Sequence, residues 1–230
     1  MGTKWPVNVG LRSERNSVVK ASRVMKTSRI KFDAIAQTAR YGLSVNYAES
    51  DVIKPPLMVD DAPLELNPHL VVAAGLLWGE STISRVEYEG TLSAKVAGQW
   101  ESNLGIALEG SVSKNEYERA ANSDLFVSSG GLISETTPGR DETVLKVVPS
   151  ARFYGALKGI KESIIASNAW MFEESALAQL CLGILFADEF MARSIYVEEK
   201  LRDKDIERAL AILEPLSIDV DCAGRGKLDA

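Results

Sequence analysis

His69 is the only histidine in the chain, and Cys181 and Cys222 are its only cysteines. A single imidazole excludes metal sites built on a His pair and weakens any His-centred triad. Placed directly after Pro68, His69 reads as a plain surface or capping residue. The two cysteines stand 41 residues apart with no CxxC spacing, so a zinc site is not expected. Cys181 lies in an apolar run, and both cysteines read as buried or free thiols rather than a disulfide, which fits a reducing, intracellular site of assembly.

The carboxylates are no more suggestive. Glu49 with Asp51, and Asp60 with Asp61, sit in proline-flanked stretches and read as solvated loop charge rather than ligands for a hard cation. Glu173, Glu174, Asp188 and Glu189 lack the histidine at i+3 of a di-iron motif. Ser128-Ser129-Gly130-Gly131 is glycine-rich, but it lacks the GxxxxGK[ST] pattern and reads as a turn. The expectation is therefore a non-enzymatic protein with no metal and no cofactor. An enzyme would have to assemble its site from acids alone.

The charge distribution carries more. Residues 1–40 hold nine basic residues, Lys4, Arg12, Arg15, Lys20, Arg23, Lys26, Arg29, Lys31 and Arg40, against Glu14 and Asp33. That stretch carries +7 in a chain of net charge −6, leaving −13 on the rest. A basic arm on an acidic body suits a polyanion, which makes Lys4, Arg12, Arg15, Lys20, Arg23, Lys26, Arg29 and Lys31 the candidate nucleic-acid contacts. It equally suits the acidic body of a neighbouring copy.

The strongest local pattern runs from Val86 to Val112. Val86, Tyr88, Gly90, Leu92, Ala94, Val96, Gly98 and Trp100 alternate with mostly polar residues, and the alternation resumes through Leu104, Ile106, Leu108, Gly110 and Val112. Period-2 alternation predicts strands with one buried face. Two such runs around residues 99–103 predict a long β-hairpin, its first strand roughly 40 Å long at about 3.3 Å per residue. A lone two-stranded ribbon is marginal in water, so Val86, Tyr88, Leu92, Val96, Trp100, Ile106 and Leu108 need a cover: the chain's own sheet, another copy, or lipid.

Around the hairpin, Arg29–Ile35, Tyr41–Tyr47, Leu57–Val59, Leu125–Val127 and Thr143–Val148 read as strands. Residues 16–27 fit either a helix or a strand. The segment 51–68, with Pro55, Pro56, Pro63 and Pro68, is a surface connection. Asn67-Pro68 then predicts a cap and first-turn proline opening a helix over His69–Trp78, with a buried strand through Leu70–Val72 as the competing reading. Residues 115–122 read as helical or exposed.

From Pro149 the periodicity becomes helical. Phe153, Leu157, Ile160 and Ile164 form one stripe. Leu177, Leu180, Ile184, Ala187, Met191 and Ile195 form another on a long helix over about 172–201, where Gly183 permits close approach of another backbone. Asp203 opens a third helix, Lys204–Leu213, ended by Pro215, and Leu216, Ile218 and Val220 suggest a last strand.

These readings predict an α+β fold. An N-terminal arm (1–27) precedes an antiparallel β-rich part (28–148) carrying the hairpin 86–112, and a helical part with a tail (149–230) packs on the sheet. With 46% apolar residues the chain can bury one sizeable core or two small ones. No run of about 20 apolar residues predicts a spanning helix, and the first residues lack the apolar core of a secretion signal.

The order of arm, long hairpin and long helix resembles that of tailed-phage shell proteins, which implies a homo-oligomeric structural subunit. The charged arm, a hairpin longer than one small domain needs and a residue inventory almost free of catalytic groups make the leading expectation a self-assembling protein of the virion shell, nucleocapsid or tail-tube kind, assembled inside the cell or found in a virion. The alternatives are a nucleic-acid-binding protein using residues 4–31 and a pore-forming protein inserting residues 86–112.

Overall fold

The computed structural model of the chain describes residues 27–48, 54–79, 82–129 and 141–223. The alternating segments near the N-terminus form strands as expected. β1 (Thr27–Ala34) and β2 (Tyr41–Tyr47) pair antiparallel, and β3 (Leu57–Val59) adds to β2. The helix α1 (Pro68–Trp78) starts where Asn67-Pro68 predicts: the Asn67 side chain accepts from the His69 backbone N–H. Every residue of α1 from His69 to Trp78 is buried, which explains why its sequence shows no polar face.

The segment expected to be a hairpin is a β-α-β unit. Val86, Tyr88 and Leu92 lie on β4 (Arg85–Ser93), Val96 and Trp100 on α2 (Ala94–Leu104), and Leu108 on β5 (Ala107–Ser113), with Ile106 in the link before it. β4 and β5 pair parallel, Val86 against Leu108 and Leu92 against Val112. The reason lies in a coincidence of periods. Val96, Ala97 and Trp100 alternate poorly beyond one turn but fall on one helical face, and they are the buried residues of α2. Gly105, at φ 64°, closes the helix in the left-handed conformation.

The C-terminal part differs too. β6 (Ser123–Ser128) and β7 (Glu142–Pro149) are followed by β8 (Ala156–Lys158) and β9 (Glu162–Ser167), where a helical stripe was expected. The long helix is only α3 (Ser175–Leu185). Ala187 lies beyond its end and Ile195 belongs to β10 (Ala192–Val197). Apolar residues on every side of α3 carried the helical pattern past its true end, while Ile195, Tyr196 and Val197 have the branched and aromatic character of a strand. α4 (Asp203–Leu213) and β11 (Asp219–Cys222) complete the chain near their expected places.

The eleven strands make one mixed sheet in the order β11-β10-β6-β7-β9-β3-β2-β1-β4-β5, with β8 beside β9. This overturns the expected antiparallel β-rich part followed by helices. β1, β4 and β5 are mutually parallel. So are β9, β7, β6, β10 and β11. Three antiparallel steps separate the two sets, so they run in opposite directions and their carboxyl ends lie on opposite edges of the sheet. With the hairpin and the long helix absent, the element order behind the resemblance to phage shell proteins is absent as well.

The sets join at β3 and β9. There the Asn168 side chain accepts from Met58 N–H at 2.7 Å and donates to Pro56 O at 3.0 Å, and Ser167 Oγ donates to Met58 O at 2.7 Å. The helices form a connected layer, α3 and α4 on α1 and α2 on α4. Gly183 lets α3 settle on the sheet, though against side chains rather than the expected backbone: a Cβ there would lie 2.8 Å from Val127 Cγ2. No helix among the described residues is long and apolar enough to cross a membrane.

Candidate functional site

Six of the basic candidates, Lys4, Arg12, Arg15, Lys20, Arg23 and Lys26, lie outside the described residues. Arg29 and Lys31 stand on the outer face of β1. Arg29 pairs with Glu87 and Lys31 with Glu89 at 2.5 Å, while Arg85 meets Glu109 at 3.3 Å. The Glu89 carboxylate holds the Lys31 ammonium above its ordinary pKa and is itself held lower. This face is a grid of alternating charge rather than a basic strip.

The apolar candidates are also accounted for. Val86, Tyr88, Leu92, Val96 and Trp100 belong to the core, and Ile106 and Leu108 pack against it. None of them forms a projecting ribbon.

His69 is buried, not a plain surface residue. Its Nε2 accepts from the Ser93 backbone N–H at 2.8 Å and its ring stacks on Tyr117 at 4.1 Å between centroids. Asn67 Nδ2 reaches Asp188 Oδ2 at 2.6 Å and the Tyr117 hydroxyl at 3.2 Å. Arg119 donates to Asp188 and to the carbonyls of Ala187 and Ala192. Burial lowers the His69 pKa, with Asp188 opposing, and pushes Tyr117 up to about 12. Each member serves a backbone group or a neighbour, so the cluster acts as a clamp between α1, β4 and the α3–β10 turn. Asp60 and Asp61 are likewise engaged, with Arg40 at 2.7 Å and Lys158 at 3.0 Å; Asp60 is buried rather than solvated, Asp61 stays open to water, and Glu49 and Asp51 lie outside the described residues.

The five parallel strands β9, β7, β6, β10 and β11 present a different arrangement. The chain enters this set at β6, builds β7 and β9 on one side, then crosses over through α3 to β10 on the other side and through α4 to β11. Connections therefore leave in opposite directions from β6 and β10. In parallel α/β sheets such a reversal opens a crevice at the strands' carboxyl ends, and ligands bind there.

Four chain segments meet at that edge. β6 ends in Ser128, followed by Ser129, whose backbone N–H donates to Glu198 Oε2 at 3.2 Å. β10 leads into Glu198, Glu199 and Lys200. α3 begins at Ser175, whose Oγ donates to Glu199 Oε2 at 2.5 Å. Gln179, one turn later and fully buried, donates from Nε2 to Glu199 Oε1 at 3.0 Å, while its Oε1 has no hydrogen-bond partner among the described residues. Before α4, Arg202 pairs with Glu174 and with Asp205, each at 2.5 Å, and Asp205 holds its guanidinium above the ordinary pKa.

Two grooves open along this edge. One of about 350 Å³ is lined by Lys200, Asp203, Glu207 and Cys222 among others. The other, about 270 Å³, is lined by Glu174, Ser175, Glu199, Lys200 and Arg202 among others.

Behind the second groove, Lys54 Nζ donates to Trp78 O at 2.8 Å and lies 3.6 Å from the centroid of its ring. Burial lowers the Lys54 pKa against the pull of Glu174. Burial also pushes the Cys181 thiol up to about 12, so this cysteine is an inert core residue. Among the described residues no group of three or more His, Cys, Asp or Glu side chains is placed to hold a metal ion.

Sequence reasoning missed Ser175, Gln179, Glu198 and Glu199 because only the crossover brings them together. The available signal was Ser128-Ser129-Gly130-Gly131 after a short apolar strand, a placement that acquires meaning once β6 is known to be central and parallel. Ser128 and Ser129 sit at the crevice, while Gly130 and Gly131, and with them the expected turn, lie outside the described residues. In comparisons with known proteins, no family model, curated relative or solved structure matches the chain.

Proposed function

We propose that the chain binds a small phosphorylated molecule in the crevice at the carboxyl ends of β6 and β10. The reversal of strand order between these two parallel strands carries the reading. Three features support an anionic group there. The Ser129 N–H is directed into the edge, and Gly130 and Gly131 follow it in the sequence. The N-terminus of α3, an eleven-residue helix without a side-chain cap bond among the described residues, brings its first-turn N–H groups and the Ser175 hydroxyl to the same edge. Lys200, exposed on the rim of both grooves, supplies positive charge.

The test is titration of the isotopically labelled full chain with inorganic pyrophosphate and with ATP, followed by amide NMR. The expected result is saturable binding with shifts centred on Ser129, Ser175 and Lys200. No saturable response, or shifts centred elsewhere, overturns the reading.

A second reading, assembly through a second copy, is favoured by one observation. β5 ends the sheet and, among the described residues, pairs only with β4. An open edge can add a strand from another chain. Light scattering of the purified protein across a concentration series tests it. A dimer or larger species that Val112→Pro returns to monomer supports it, and a monomer at every concentration removes it.

A further inference from the structure

We infer that Glu199 governs how tightly this crevice takes an anion: its carboxylate fills the anion position at the start of α3 and must leave before a ligand enters. The inference rests on the reading of the crevice proposed above. Both Glu199 oxygens are taken up by α3, Oε2 by the Ser175 hydroxyl and Oε1 by the Gln179 amide. These are the donors that, together with the helix N-terminus, would receive a phosphate oxygen. The neighbouring Glu198 does the same for the Ser129 N–H. The chain's own acids therefore stand at the donors of β6 and α3.

What marks Glu199 as exchangeable is the absence of a counter-charge. Among the described residues, the nearby cations are committed elsewhere or free. Arg202 is held by Glu174 and Asp205, Lys54 faces Trp78 and Glu174, and Lys200 makes no ion pair. A buried or half-buried carboxylate kept for stability is normally matched by a cation. Glu199 is instead held by two neutral donors, beside the like charges of Glu198 and Glu174. An entering phosphate group offers the same donors the same kind of acceptor. Gln179 adds to this: it is fully buried and, among the described residues, its Oε1 is unpartnered, so Nε2 makes the hydrogen bond that its amide has there.

Glu199→Gln tests the inference. The amide oxygen still accepts from Ser175 or Gln179, so the local fold is kept while the charge is removed. Calorimetric titration of the full chain with inorganic pyrophosphate should give about tenfold tighter binding for E199Q than for the unsubstituted protein, a difference of about 1.4 kcal/mol. Glu118→Gln makes the same change in net charge at an exposed position before β6 and should leave the affinity unaltered. Equal or weaker binding by E199Q overturns the role of Glu199 while leaving the crevice as a binding site. Equal tightening by E118Q overturns it as well, since the effect is then one of net charge. Failure of all three proteins to bind overturns the crevice reading, and the role of Glu199 with it.

Discussion

The indole Nε1 of Trp100 donates to the carbonyl of Ile212 at 2.7 Å, tying α2 to the last turn of α4 across more than a hundred residues. Trp100 is fully buried, so the bond is made where water offers no substitute. Trp100→Phe keeps most of the ring and orphans the carbonyl. It should lower unfolding free energy by about 1–3 kcal/mol, and Trp100→Ala by about 3–5 kcal/mol. Equilibrium urea unfolding measures both. A loss below 0.5 kcal/mol for the alanine variant, an estimate well under the usual range for buried aromatics, would mean that α2 is not packed as described.

His69 predicts the pH dependence. Its Nε2 accepts from the Ser93 N–H, which requires the neutral ring, and burial depresses its pKa in the folded state. The unfolded chain therefore binds the proton more tightly. The stability contributed by His69 is complete above the unfolded value of about 6.5 and is lost as pH falls through the folded value. Urea midpoints measured from pH 8 down to pH 5 should fall on the acid side. His69→Gln, which retains an acceptor and cannot titrate, should flatten that part of the profile. An unchanged slope in the variant would assign the effect to carboxylates instead.

Gly75 faces β1 so closely that an added Cβ would sit 2.3 Å from Ile30 Cγ2. Alanine gains about 1 kcal/mol of helix propensity over glycine, yet overpacking a filled core costs about 1–3 kcal/mol, and this contact falls on the methyl bonded directly to Cβ, which a rotation about the outer bond of the side chain does not move. Gly75→Ala should therefore be net destabilising by thermal denaturation. Pairing it with Ile30→Ala, which removes the opposing methyl, should give less destabilisation than the two separate effects summed.

Much of the fold was legible where one face of an element is wet or its end is chemically marked. β1 and β2 alternate because their outer faces carry Arg29, Lys31 and Asn46, and α1 announces itself through Asn67-Pro68. Legibility failed in α3, where every residue after Ser175 is buried, so periodicity there does not mark its length. β7, buried throughout residues 143–148, was still readable as a strand over Thr143–Val148, but not the direction of its neighbours. The residues around Trp100 failed for another reason: period 2 and period 3.6 agree over one turn.

Parallel pairing was invisible throughout, since a parallel neighbour is reached only by a crossover and leaves no turn signature. The crevice inherits that limit. Ser175 and Glu199 lie 24 residues apart, and neither type nor spacing connects them until α3 is seen to carry the chain from β9 to β10.

Arg119 separates the energetics of charge from those of packing. Its side chain is 5% exposed, and it donates to Asp188 Oδ1 at 3.0 Å, Ala187 O at 3.1 Å and Ala192 O at 2.5 Å. The guanidinium thus satisfies both carbonyls flanking the turn in which α3 gives way to β10. Arg119→Met keeps the volume of the stem but removes the charged donor from all three acceptors, of which Ala187 O keeps the Ala192 N–H and Asp188 keeps Asn67 Nδ2. Removing one partner of a buried pair costs about 3–5 kcal/mol. Asp188 is partly open to water, which places the expected loss near 3 kcal/mol, the lower end of that range. Arg119→Lys should recover only part, because an ammonium cannot span three acceptors held apart by a planar fork. Hydrogen exchange should locate the damage: amides of Asn122, Ser123 and Ala192, which close this turn onto Met191 O and Ala187 O, should exchange faster in Arg119→Met than those of β1 and β2. Uniform acceleration across the sheet would show that Arg119 supports global stability and not this turn.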